Sequence, residues 1–368
     1  CGGWSRAWTP HSFKLKGNKE LGGVKYLPYS FFTQKPYLRN RTLQIRNGGN
    51  DSSCRFIDGS LQYIVETSGI DVDCQSYQPV HEFINGEYIG VLNVREPNNK
   101  HYVYANYGWD DDEIDQFEMS PDSGYVQKCG TDEAFRHLVD DLSPRAADAA
   151  TYAEIGKLLD IDAYANYMAV QFYLGGTDWP QNNVKGFRHR SGGKFRFVLF
   201  DLDFAFYSDS PFRDFINKEN YLFDPPYPSS SERKREQIRF VTLFRNLLKN
   251  ADFRRHFIDA YCVMGGSVFE KTRAQAIVIE LLNCVEPAMS LETVWGRPNS
   301  ASGTANDVKN NLNSRLSKAI TALKGYSAFG LSSTTAQRVT LKSDTEGSLF
   351  FINEMVVPTG RFDGQLLG

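Results

Sequence analysis

The chain of 368 residues has no run of apolar residues long enough to cross a bilayer, so a helical membrane span does not organise it. No secretory signal peptide is visible at its start. Its six cysteines (Cys1, Cys54, Cys74, Cys129, Cys262 and Cys284) form no CxxC pair and no zinc-type spacing, which excludes zinc ribbons and dithiol redox motifs. Cys54 and Cys74, the nearest pair in sequence, are the first candidates for a disulfide. Positive charge is not in excess: the formal net charge of -3 excludes a general nucleic-acid binder, which needs a basic surface to displace counterions. The basic run Arg233-Lys234-Arg235 has acidic neighbours and reads as a solvated loop. None of the six histidines stands in a nucleophile context, which removes a serine-type triad. Repeats and low-complexity tracts are also missing.

What the chain does have is apolar substance. Hydrophobic residues make up 41% and aromatic ones 14%, enough for a large core with aromatic-lined clefts. Residues 41–46 alternate polar and apolar, as a half-buried strand does. Residues 55–67 carry Phe56, Leu61, Ile64 and Val65 at helical spacing. The strongest local signal is a pair of strands, 80–84 and 87–94, joined by Asn85-Gly86, which tolerates the positive φ of a type I′ turn. Residues 97–135 look polar and irregular, and their acidic cluster at 110–113 reads as a solvated loop. From 148 to 175 a helix is expected, with Ile161, Tyr164, Met168 and Phe172 on its buried face and Gly175-Gly176 at its end. A second hairpin spans 184–200, and a loop rich in Pro, Ser and charge covers 208–237. Helices are expected over 238–261, 267–288 and 303–324, and β pattern returns from 338. Strand-rich and helix-rich parts are segregated, which favours an α+β class. The division expected is a β-rich N-terminal lobe (1–96, with its hairpin at 80–94), a mostly helical C-terminal lobe (97–325) and a β appendage or start of a further domain (326–368).

Residues 176–206 concentrate the chemistry. Asp178 lies in a turn rich in Asp, Pro and Asn, where a purely structural role is the plainer reading for it alone. Asp201 and Asp203 follow the apolar strand Phe197-Val-Leu-Phe200, where carboxylates are costly to bury without partners. Alternation puts both on one face of an extended chain, which suits a hard cation such as Mg²⁺ with phosphate oxygens. Asp178 also precedes Asn183 by five positions, with a hairpin and a strand-end acid after it. Protein kinases place their catalytic base, metal-binding Asn and metal-binding Asp in that order and at that first spacing.

The sequence resembles the CotH (spore-coat protein H) family. Arg46-Asn-Gly-Gly49 is similar to that family's Arg-Asn-Gly-Gly motif, and the hairpin ending Val94-Arg-Glu96 to its central hairpin. Asp178 to Asn183 and Phe200-Asp-Leu-Asp203 resemble its catalytic-loop and metal-binding motifs, and Gly360-Arg-Phe-Asp-Gly364 its C-terminal β segment. The resemblance covers roughly residues 10–365. It implies a bilobal, atypical protein-kinase-like fold that transfers the γ-phosphate of ATP to protein Ser or Thr with Mg²⁺ or Mn²⁺. Carried over by position, Asp178 is the catalytic base, Asn183 and Asp201 are metal ligands, and Asp203 assists them or holds the loop. Arg46 is expected to contact phosphate, and Val94 to Glu96 to line the nucleotide pocket as a hinge. The chain departs from the family pattern in placing Ile57 before Asp58 and in the stiff Trp179-Pro180 of its catalytic loop. Lys14, Lys16 and Lys25 are the candidates for a phosphate anchor. Family habit implies an extracellular, cell-surface or periplasmic protein, with Cys1 a candidate lipidated terminus and further domains beyond the C-terminus. Two alternatives stand beside this: a non-catalytic surface or assembly protein on a pseudokinase fold, and a haloacid-dehalogenase-type phosphatase in which Asp201 attacks phosphate.

Overall fold

The structure is a computed structural model, and it describes residues 9–51, 55–120, 124–216, 231–292, 300–345 and 347–367, with Ser120 and residues 231–238 described by backbone alone. Cys1 and Cys54 lie outside the described residues, and with them the expected lipidated terminus and the Cys54–Cys74 pairing.

The N-terminal part contains β1 (Phe13–Lys16), the one-turn α1 (Lys19–Gly22), β2 (Thr42–Arg46), α2 (Ile57–Glu66), the two-residue β3 (Asp73–Cys74), β4 (Tyr77–Ile84) and β5 (Glu87–Arg95). Four of its strands make an antiparallel sheet in the order β1-β2-β5-β4. The hairpin turns where expected: Asn85 and Gly86 take φ of 52° and 85°, both positive as a type I′ turn requires. Leu43 and Ile45 of β2 pack with Leu92 and Val94 of β5 in a small cluster closed by Phe32 and Leu38. The buried face of α2, including Leu61, Ile64 and Val65, joins the main core instead. Phe56, at its N-cap, has no side chain able to cap. Asp51 takes over, accepting the N–H groups of Phe56 and Ile57, the latter at 2.6 Å.

Residues 97–135 correct the expectation of irregular chain. They form α3 (Lys100–Tyr107), β6 (Ile114–Ser120), β7 (Gly124–Cys129) and the short α4 (Glu133–Arg136). Charge pairing hides the strand pattern of β6. Asp115 is buried because Arg188 and Arg190 lie 2.9 and 3.3 Å from it, and Glu118 takes Lys185 at 2.9 Å in the same way. Each acid is thus neutralised from across the sheet, so polar residues occupy a central strand.

A π-helical turn (His137–Leu142), α5 (Ala149–Leu158) and α6 (Ile161–Leu174) come next, then β8 (Val184–His189) and β9 (Arg196–Leu199). The single helix expected over 148–175 is two, broken at Asp160, whose side chain caps α6 through the N–H of Ala163. A one-sided buried face was expected for α6, but every residue from Ala163 to Leu174 is buried. It is a central helix, with β9 on one side and later helices on the others. The hairpin β8–β9 belongs to a five-stranded sheet, order β3-β9-β8-β6-β7, in which only the short β3–β9 pairing is parallel.

The remaining elements are α7 (Pro211–Ile216), α8 (Ser231–Leu247), α9 (Ala251–Val263), a second π-helical turn (Met264–Val268), α10 (Lys271–Met289), α11 (Ser302–Gly325) and the tail strands β10 (Gln337–Leu341), β11 (Phe350–Ile352), β12 (Met355–Val357) and β13 (Phe362–Leu366). Arg233 to Arg235 fall in α8, not in a loop. The helix expected over 238–261 also splits in two. Asn250 interrupts it and caps α9, accepting the N–H of Phe253 at 3.0 Å. The tail does not stand apart: Ile352, Met355, Val357 and Phe362 are buried in the main core.

One buried ion pair ties the β4–β5 hairpin to the end of α10. Arg55 reaches the Glu292 carboxylate with both terminal nitrogens, at 2.7 and 2.9 Å, and Glu292 also accepts the N–H of Val91. Both side chains are at or below 1% exposure, so removing one strands the other in a dry site. Glu292→Ala is expected to cost about 3–5 kcal/mol. Urea denaturation with wild type alongside measures it.

Candidate active site

The site assembles where α6 and β9 end. α6 stops at Gly175, whose φ of 62° turns the chain out of the helix. The loop beyond it is anchored by Trp179, which is buried. Its Nε1 donates to the Tyr167 hydroxyl at 3.1 Å, and its ring meets Phe172, Phe215 and Phe240 edge-on. That anchor fixes Asp178, one residue earlier. Asn183, with φ of 56°, donates its side-chain amide to Asp178 Oδ2. Its carbonyl oxygen is left to accept or to ligate. The β8–β9 hairpin then returns the chain, and Asp201 leaves β9 with φ of 59°, a left-handed conformation that costs a non-glycine residue about 1 kcal/mol or more. Asp178, Asn183 and Asp201 line one pocket with Gly176, Phe200 and Ala205.

A second layer comes from the N-terminal sheet. Arg46, at the end of β2, places Nη2 2.6 Å from Asp201 and Nη1 3.2 Å from Asp58. Asp58 also takes Arg95 at 2.9 Å and accepts the N–H of Leu202, between the two site acids. Burial works to raise the Asp58 carboxyl, but Arg95 and Arg46 outweigh it and hold it below the usual range. The Gly48-Gly49 turn lets the loop settle on Asp203. Both glycines have positive φ, and a Cβ on Gly49 would lie 3.0 Å from Asp203 Oδ2. The same oxygen accepts the N–H of Asn50 at 3.0 Å.

These carboxylates feel each other. Burial, then the charges of Asp201 and Asp203, push Asp178 well above the ordinary range. Burial and the charge of Asp201 push Asp203 up to about 7, against the pull of Arg46. Folded protein therefore binds more protons than unfolded chain between pH about 4 and about 7, and this contribution to stability is lost as pH rises through that window. Asp203→Asn removes the loss. Its melting temperature is expected to exceed wild type at pH 8 and to match it near pH 4, as thermal melts at the two pH values will register.

Among the described residues, no group of three or more His, Cys, Asp or Glu side chains is arranged to hold a metal ion unaided. The donors present nevertheless fit a hard cation that completes its shell with phosphate and water. They are the Asn183 carbonyl, the Asp201 carboxylate and Asp203, whose Oδ1 is buried without a hydrogen-bond partner.

Val94 and Glu96 are not brought to this pocket. Val94 sits in the small apolar cluster. Glu96 is fully buried and fully engaged, with Lys35 at 2.7 Å, the N–H of Ser76 at 2.9 Å and Asn106 at 2.7 Å. Lys14, Lys16 and Lys25 are all exposed. The sequence analysis met Asp58 only as a departure from the family pattern, gave Asn50 no role and did not pair Lys35 with Glu96. Asp58 carried one faint signal, as the acid in the first turn of an otherwise apolar and polar-neutral helix start. The phosphatase alternative also fails on topology: β9 sits in a hairpin with antiparallel β8, without the βαβ wrap that reading requires.

A base-like Asp, an Asn five positions on and a strand-end Asp around one pocket define a kinase-like class of site. The family profile described as CotH kinase protein matches residues 1–319, and the chain belongs to that family. No curated protein matches the sequence. Among solved structures, the chain is similar to the crystal structure of a Helicobacter pylori proinflammatory kinase, CtkA, with 11% identity over 79% of this chain and 92% of that one and a TM-score of 0.34. No helix among the described residues is long and apolar enough to cross a membrane.

Proposed function

We propose that the chain is a metal-dependent protein kinase that transfers the γ-phosphate of ATP to Ser or Thr of a protein substrate. The observation that carries this reading is the convergence of Asp178, Asn183 and Asp201 on one pocket, with Asp178 and Asn183 in direct hydrogen bond. Asp178 receives the substrate hydroxyl proton, and Asn183 and the Trp179 anchor keep its carboxylate in place. Asn183, Asp201 and Asp203 hold Mg²⁺ or Mn²⁺, which neutralises charge on the β- and γ-phosphates and orients them. Burial and the charges of Asp201 and Asp203 raise the Asp178 carboxyl, and a cation held by those acids would lessen their part of that effect. The N-terminal sheet and the helical part are the two lobes in this reading, with Arg46 and the Gly48-Gly49 loop reaching across from the first to the second. A cell-surface or periplasmic location is part of this proposal and rests on family resemblance alone.

Radiolabel transfer from γ-labelled ATP, to the chain itself or to a Ser-rich protein, tests the reading. Label that appears with Mn²⁺ or Mg²⁺ and disappears with chelator supports it; equal labelling without metal contradicts it. One observation favours a second reading, the non-catalytic pseudokinase: Arg46 already occupies Asp201 Oδ1 at 2.6 Å, where a cation would have to displace or share it. Nucleotide binding without any transfer would select that alternative.

A further inference from the structure

Basic residues are concentrated in one short stretch of this slightly acidic chain. Residues 9–41 carry seven Lys and Arg against one acid, Glu20, while the whole chain stands at -3. Two of the seven are taken up by the fold, Lys35 by Glu96 and Arg41 by Asp110. Lys14, Lys16, Lys19, Lys25 and Arg39 are exposed, and among the described residues none of them is paired with a carboxylate. They lie on one surface. The chain at Lys25 and Tyr26 runs against Gly17, where a Cβ would stand 2.8 Å from the Lys25 carbonyl carbon, and the Arg39 guanidinium lies 5.9 Å from the centre of the Tyr26 ring.

That surface is built on an open sheet edge. β1 pairs with β2 on one side only. Gly17, just after β1, donates its N–H to the Arg41 carbonyl at 2.9 Å. Alternation then turns the backbone groups of Leu15 and Phe13 toward β2 and those of Lys14 and Lys16 outward, where no backbone group among the described residues meets them. Phe13 and Leu15 stand opposite Ile45 and Leu43, on the face of the small apolar cluster, yet remain 38% and 39% exposed. Lysines alone blunt an edge against unwanted pairing, but an edge that also leaves two large apolar side chains uncovered invites a partner strand. The edge leads to the candidate site. Ser12, one residue before β1, donates its hydroxyl to Asn47 Oδ1 and accepts the Asn47 N–H, both at 2.9 Å, and Asn47 follows the Arg46 that holds Asp201. Outward N–H and C=O groups select among polyanions, because an extended polypeptide matches them and a lipid headgroup does not.

We propose that the β1 edge and its basic surround are the docking strip for the protein substrate, which adds as an extended, acidic strand beside Lys14 and Lys16. This rests on the kinase reading above and names the substrate class: a Ser or Thr in a segment rich in Asp and Glu with interspersed apolar residues.

Fluorescence anisotropy of the full chain with a short labelled peptide, alternating Glu and Val around one Ser, tests it beside a counterpart with Lys for Glu. The Glu peptide is expected to bind, more weakly as salt rises, and to accept label from γ-labelled ATP, whereas the Lys peptide does neither. Joint reversal, Lys14→Glu with Lys16→Glu, should weaken Glu-peptide binding about tenfold while the melting response to ATP with Mg²⁺ stays at wild type. Lys14→Pro removes an outward N–H that β2 does not use, a change an edge strand tolerates, and should bind the Glu peptide about fivefold less tightly than Lys14→Gln. Slowed amide exchange at Lys14 and Lys16 in the peptide-bound wild type reports the same pairing if the proline variant does not fold. The proposal is overturned if both peptides bind alike or neither binds, if charge reversal leaves affinity unchanged, or if those amides stay unprotected. Binding to phosphatidylserine vesicles without binding to the Glu peptide would make the strip a membrane contact, and a dimer that Lys14→Pro dissociates would give it to a second copy of the chain. A Glu peptide that binds through Lys14 and Lys16 but takes no label would instead remove the kinase reading.

Discussion

Asp178→Ala is expected to lower phosphoryl transfer by about 10²–10⁴-fold, the usual worth of a positioned general base, while leaving nucleotide affinity nearly intact. The two effects separate because Asp178 is proposed to meet the acceptor hydroxyl and is not among the groups proposed to hold the metal. Folding should not suffer. Asp178 is a buried carboxyl whose ionisation is opposed by burial and by Asp201 and Asp203, so its removal relieves a cost. What the variant loses is the hydrogen bond from Asn183. Transfer measured at saturating ATP therefore reads the chemical step, and a melt in parallel confirms the fold. Transfer within a factor of about three of wild type would remove Asp178 from the base role.

Asp201→Asn is expected to have the opposite signature, with metal-dependent nucleotide binding abolished. Asparagine is the better replacement than alanine because the position has φ of 59°, a conformation that Asn and Asp tolerate and most residues do not. Its carbonyl oxygen can still accept from Arg46, so the resting fold should persist. The charge that draws in the cation is gone. Wild type at a thousandfold excess of ligand over its dissociation constant gains about 4 kcal/mol. The variant should gain none, and its melting temperature should not respond to ATP with Mn²⁺. An equal shift in both proteins would mean that the nucleotide binds without Asp201.

Both variants concern residues that were legible in the sequence, and the reason is local. Asp178 and Asn183 are five positions apart, and Asp201 and Asp203 stand out as acids at the end of an apolar strand. The Asn85-Gly86 hairpin was legible for the same reason, since its turn needs only two residues of the right kind. Contacts that depend on folding were not. Arg46 meets Asp201 across 155 positions, and Asp203 receives Asn50 across 153. The strand β6 was hidden because Asp115 and Glu118 are neutralised by Arg188 and Lys185 of β8, residues that no window around β6 contains. Helix breaks at Asp160 and Asn250 escaped a reading of apolar periodicity because it runs through both positions, although each is a good capping residue. Glu96, to which the family resemblance gave a place in the nucleotide hinge, has its carboxylate taken up by Lys35, Ser76 and Asn106.

The most direct measurement is a crystal structure of the chain with Mn²⁺ and a non-hydrolysable ATP analogue, using the anomalous signal of manganese. The account requires a peak about 2.0–2.3 Å from carboxylate and amide oxygens, those of Asp201 and Asn183, with the γ-phosphate on the side of Asp178. A peak at any other cluster, or nucleotide bound away from these three residues, would contradict it.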